Sequence, residues 1–161
     1  MVWLHLWLPD LPAADYPASI APEWVDSRGK IRRLAEKSTS LPGVMEVLSG
    51  DTCQVRYDYE GVRVCYRASL PKPGVLKLRV TLEGDFTDAS LAIPILENDG
   101  ELHPETEETD NGLRVRFPGG ELWIRGGNNR FRAAGTVVNR TGSYRLRYLP
   151  FDGNELDAVY G

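Results

Sequence analysis

From Cys53 to Tyr59 the apolar side chains occupy odd positions (Cys53, Val55, Tyr57, Tyr59), and from Val62 to Ala68 they occupy even ones (Val62, Val64, Tyr66, Ala68). Successive side chains of a strand point to opposite faces, so a change of parity across Glu60-Gly61 is most simply met by a two-residue turn. The segment then folds into a hairpin with both apolar sets on one side and Gln54, Arg56, Asp58, Arg63, Cys65 and Arg67 on the other. After a turn at Pro71-Lys72-Pro73-Gly74 the pattern recurs, with Leu76, Leu78, Val80 and Leu82 facing in and Lys77, Arg79, Thr81 and Glu83 facing out. The expectation is a half-buried antiparallel sheet, apolar on one face and rich in arginine on the other.

The same hairpin constrains the cysteines. It sets Cys53 opposite Ala68 and Cys65 opposite Arg56, on opposite faces, so the pair is expected as two free thiols. Two cysteines are also too few for a disulfide framework, and they leave the redox compartment open. Nearby arginines favour a thiolate at Cys65, but no histidine lies close in sequence to act as its base.

Further strands are expected at Val2 to Leu8, Val44 to Leu48, Leu91 to Leu96, which is denser in apolar residues, Leu113 to Phe117, Glu121 to Arg125, Phe131 to Val138, whose register is open, and Ser143 to Leu149. Pro94 marks an edge or a bulge, and Asn111-Gly112 is a hairpin signal. Pro9 to Pro22 carries no period. From Ser27 a short helix is expected, with Ser27 as N-cap and Ile31, Leu34 and Ala35 facing inward, although Gly29 weakens it. The pattern predicts an all-β fold, an antiparallel β-sandwich of about nine strands with one short N-terminal helix; an antiparallel β-barrel is the alternative. At 161 residues the chain fits a single β domain, residues 1–161, in which 9–42 form a proline-containing arm and the short helix.

The apolar start is too short to span a bilayer and lacks a basic leader region, so it reads as structural rather than as a signal peptide. On that reading a cytoplasmic location is weakly favoured, and no transmembrane segment is expected. Net charge is −4, but residues 1–82 carry +2, residues 83–110 carry −10 with no basic group, and residues 111–161 carry +4. The acidic stretch reads as a solvated excursion between strands and argues against general nucleic-acid binding. Fifteen of the nineteen basic residues are arginine, whose planar fork suits carboxylate or sulfate ligands.

Two sets of residues are candidates for chemistry. The outward basic rows, Arg56, Arg63, Arg67, Lys77 and Arg79 with Arg114, Arg116, Arg125, Arg145 and Arg147, would form a grid around Trp123 if their strands were neighbours. Like charges would then face each other about 5 Å apart unless acids or an anionic ligand intervened. Trp3, His5 and Trp7 form the second set, an aromatic platform for a sugar or a contact surface for another protein. The acidic residues from Asp85 to Asp110 lack calcium-loop spacing, and with His5 and His103 the only histidines, a histidine-rich zinc site is excluded. No nucleophile elbow, phosphate loop or dinucleotide fingerprint is present, so neither metal nor cofactor is expected.

The leading reading is a non-catalytic binding or interaction module for an anionic or carbohydrate ligand, or a protein partner, with Arg56, Arg63, Arg67, Arg79, Arg114, Arg116, Trp123, Arg145 and Arg147 as ligand-binding residues. The alternatives are a structural or assembly subunit associating through its N-terminal aromatic residues, and an enzyme acting on an acidic polysaccharide or another anionic substrate. The all-β pattern with outward arginines is loosely similar to accessory sandwich domains attached to polysaccharide-degrading enzymes, a likeness of architecture that transfers no residue.

Overall fold

The computed structural model describes residues 19–37, 40–139 and 141–161. Trp3, His5 and Trp7 lie outside these described residues, as does the expected strand at Val2 to Leu8. The hairpin forms as its parity requires. Strands β4 (Thr52–Tyr59) and β5 (Val62–Lys72) pair with Cys53 opposite Ala68 and Arg56 opposite Cys65. Glu60 and Gly61 both adopt positive φ, 52° and 80°. A tight hairpin needs that left-handed pair to match the right-handed twist of its strands.

This hairpin sits within an antiparallel sheet of eight strands. The others are β3 (Val44–Ser49), β6 (Val75–Glu83), β8 (Glu105–Thr109), β9 (Gly112–Phe117), β10 (Gly120–Gly126) and β13 (Glu155–Tyr160). The sheet order is β3-β4-β5-β6-β13-β10-β9-β8. A second antiparallel sheet has the order β11-β12-β7-β1-β2, built from β1 (Ala21–Asp26), β2 (Ile31–Arg33), β7 (Phe86–Asn98), β11 (Arg132–Asn139) and β12 (Gly142–Pro150).

Both sheets contribute to one core. Trp24, Leu91, Ile93 and Leu149 from the five-stranded sheet join Val64, Val80, Leu82, Leu113, Ile124, Leu156 and Tyr160 from the eight-stranded one. Trp24 is 1% exposed, and its ring meets Tyr59 edge-on at 5.7 Å, linking β1 to β4 across the two sheets. Aromatic pairs favour this geometry because a ring's positive edge meets its neighbour's negative face.

Four expectations change. Thirteen strands form among the described residues, against about nine. Ala21–Asp26, within the expected arm of residues 9–42, is a strand inside its sheet, between β7 and β2. The expected helix from Ser27 is absent: Asp26 Oδ1 accepts from the backbone N–H of Arg28 and of Lys30 at 2.9 Å each, closing a turn into β2, and a single 3-10 turn at Leu34–Lys37 follows. Leu34 and Ala35 are buried as expected, but Ile31 is exposed. The acidic excursion contains β8, and the expected strand at Leu91 to Leu96 is the later part of the thirteen-residue β7. Pro94 lies opposite Leu146 of β12, beyond the point where Ala21 of β1 meets Ala92. On its other side no described strand needs the N–H that proline lacks.

Replacing Trp24 by alanine removes the largest side chain of the shared core. Trp24→Ala is expected to cost about 3–5 kcal/mol in urea unfolding, while Val44→Ala on an exposed strand should change stability by under about 0.5 kcal/mol.

Candidate functional site

The ladders of the eight-stranded sheet decide which outward residues meet. Paired residues of an antiparallel sheet share a face. One outer row therefore runs Gln54, Arg67, Arg79, Asp157 and another Arg56, Cys65, Thr81, Glu155. A third runs Ser69, Lys77, Val159, Arg125, and beside it Trp123, Arg114 and Glu107 succeed one another across β10, β9 and β8. The expected grid thus forms in part. Arg56, Arg63, Arg67, Lys77, Arg79, Arg114, Arg116, Arg125 and Trp123 share this sheet, whereas Arg145 and Arg147 belong to β12 of the other one.

Like charges do fall opposite one another, and acids answer them. Arg67 pairs in register with Arg79, whose Nε and Nη2 donate to Asp157 at 2.7 Å each; Glu155 lies 3.4 Å from the same guanidinium. Such two-pronged contact holds Asp157 below the ordinary aspartate value of 3.8. Arg63 pairs with Asp58 at 3.0 Å, Arg116 with Glu107 at 2.7 Å, and Arg114 with Glu121. On the five-stranded sheet Arg145 pairs with Glu97, while Arg147 is half-buried opposite Ile93. The acidic stretch therefore lies against part of the arginine set: Glu107 takes Arg116, and Glu97 takes Arg145.

Arg56, Arg67, Lys77 and Arg125 remain without a carboxylate partner among the described residues. Of these, Arg125 is the most firmly placed. Its Nε donates to the Asn111 carbonyl at 3.2 Å, and its guanidinium carbon lies 5.0 Å from the centre of the Trp123 ring. Arg114 lies against the same ring at 5.4 Å. Glu121 ties the group together by accepting from the Trp123 indole N–H at 2.9 Å and from Arg114, and these two donors hold its carboxyl below the usual range. Trp123 is thus the hub of a cluster in which Arg125 is exposed, in the same row as Lys77.

The cysteines and His103 stand apart from this cluster. Burial pushes the Cys65 thiol up despite the opposing pull of Arg56 and Arg67, which favours the inactive, protonated form. Cys53 and Cys65 are both free thiols. His103 is exposed between β7 and β8, where Asp99 Oδ1 accepts from the backbone N–H groups of Glu101 and Leu102 at 2.9 and 2.7 Å. Among the described residues no three histidine, cysteine or acidic side chains converge as metal ligands, and no helix is long and apolar enough to cross a membrane. No family model matches the chain, and no curated protein is significantly similar to it.

That Arg125 lacks a carboxylate partner among the described residues, unlike its neighbours, is not visible in the sequence. Only strand order separates it from Arg114 and Arg116, which are neutralised. The Asp157 pairing has a pH signature. Its folded value lies below its unfolded one, so its contribution is present above about pH 4 and fades as pH falls through the lowered value. Asp157→Asn should therefore unfold more readily than the parent at neutral pH, with the difference closing as pH falls below about 4 in denaturant titrations.

Proposed function

We propose that this protein is a non-catalytic binding module for an anionic ligand, carried on the outer face of its eight-stranded sheet, within one sandwich-like domain. The observation that carries the reading is Arg125: a guanidinium braced by Trp123 and the Asn111 carbonyl, without a carboxylate partner among the described residues, and two strands from Lys77 with Val159 between them. A preorganised guanidinium fork donates two parallel hydrogen bonds to a sulfate or carboxylate and loses little freedom in doing so. Arg67 and Arg56 extend the positive strip along the same face, and Asp157 and Glu155 limit it.

This arrangement supports an anion over a neutral sugar. Stacking on a neutral sugar needs an open ring, whereas both Arg114 and Arg125 lie against the Trp123 ring. Trp123 acts here as the residue that positions Arg125. Binding would consist of charge-assisted hydrogen bonds with no bond cleaved, and it should weaken as salt screens the strip.

The test is titration with dextran sulfate, with neutral dextran as control. Arg125→Ala and Lys77→Ala should each weaken dextran sulfate binding by about tenfold, the range expected for a lost charged hydrogen bond. Asp157→Asn should tighten it by releasing Arg79. Equal binding of neutral dextran, or an affinity indifferent to salt and to both substitutions, would overturn the reading.

A further inference from the structure

Arg56, Arg67, Lys77 and Arg125, all exposed and without a carboxylate partner among the described residues, fall on one path across the outer face. Arg56 lies opposite Cys65, Arg67 stands two residues further along β5, and Lys77 lies opposite Ser69, two residues further again. Each step therefore crosses one strand and advances two residues. With strands about 4.8 Å apart and a rise of about 3.4 Å per residue, a step measures about 8 Å. From Lys77 the path follows its row to Arg125, two strands away with Val159 between them. That step is about 10 Å, and it leaves Arg56 and Arg125 about 23 Å apart on the grid.

The acids fix the direction. A ligand laid straight along the Arg56 row would cross Cys65 and Thr81 to meet Glu155, and one laid along the Arg67 row would cross Arg79 to meet Asp157. The diagonal keeps those acids on one flank. On its other flank it passes Gln54 and Ser69, neither of them charged.

We infer that the ligand of this face is a linear anionic polysaccharide with an acidic group on every second sugar, laid along the diagonal from Arg56 to Arg125. The inference rests on the anion-binding reading and adds the ligand's length, direction and charge spacing. A sugar ring crossed from C1 to C4, with its bridging oxygen, advances an extended chain by about 5 Å at single-bond lengths near 1.5 Å. Two rings then cover about 10 Å, close to the spacing of the cations, whose long side chains absorb the difference. A single small anion at Arg125 cannot reach Arg56. A nucleic-acid strand fits less well, because its charges follow at about 3.4 Å along the strand and would set about seven against four cations. The surplus would be left unneutralised beside Asp157 and Glu155, in a chain of net charge −4.

The test is calorimetric titration with hyaluronan oligosaccharides, which carry one carboxylate on every second sugar, from tetrasaccharide to dodecasaccharide. Affinity should rise by about tenfold or more from the tetrasaccharide to the octasaccharide, whose carboxylates match the cations in number, and then level off. Arg56→Ala should lower octasaccharide affinity by about fivefold despite its distance from Arg125. Arg63→Ala, off the path and paired with Asp58, should leave it unchanged. Equal affinity for tetrasaccharide and octasaccharide would overturn the inference, and so would an octasaccharide that fails to bind while dextran sulfate still binds through Arg125; both leave the anion-binding reading standing. Tighter binding of an oligothymidylate with the same number of charges would overturn it in favour of a nucleic acid. No binding of dextran sulfate would remove the anion-binding reading and the inference with it.

Discussion

A slip of one residue between β4 and β5 would turn Val62 and Val64, both now buried, out to solvent and bring Arg63 and Arg67 into the core. Strand register is therefore the constraint on which the rest of the molecule depends. The shared core enforces it from inside, because Val64, Val80 and Leu82 must all face Trp24, Leu91 and Leu149. The left-handed pair Glu60-Gly61 enforces it from the turn. With the inner face fixed, the outer face has no freedom left. Arg67 must lie beside Arg79, and Arg79 beside Asp157.

That outer face shows how a sheet accommodates dense positive charge. Isolated surface ion pairs contribute little to stability, commonly under about 1 kcal/mol. Their larger effect here is on where positive charge remains available. Asp157, Asp58, Glu121 and Glu107 each occupy a guanidinium in or next to its register position, leaving a strip at Arg56, Arg67, Lys77 and Arg125. The acidic stretch supplies part of this neutralisation, because β8 pairs with β9 through Glu105 and Glu107 opposite Arg116 and Arg114.

Much of the fold was legible because a period of two is a strong local signal. The hairpin, its turn, the facing of β6 and the separation of the cysteines all follow from parity and reappear residue for residue. β8 was not legible, since Glu-Thr-Glu-Glu-Thr has weak strand preference and is held by its pairing with the arginine-bearing β9. The helix was misread because Ser27 resembles an N-cap, while it is Asp26 that captures the backbone donors and turns the chain into β2. The site was legible only as a list of outward residues. Strand order, which no local pattern records, removed Arg145 and Arg147 from the face and separated Arg125 from its neutralised neighbours.

Arg125, held by Trp123, is the proposed recognition group of this face. The most direct measurement is an NMR titration of the arginine side-chain Nε–H resonances and the tryptophan indole resonances with dextran sulfate. Saturable shifts are expected at Arg125 and Trp123, with smaller ones at Arg67, while Arg63 and Arg116, already paired with carboxylates, stay in place. Shifts spread evenly over all the arginines, or absent from Arg125, would contradict it.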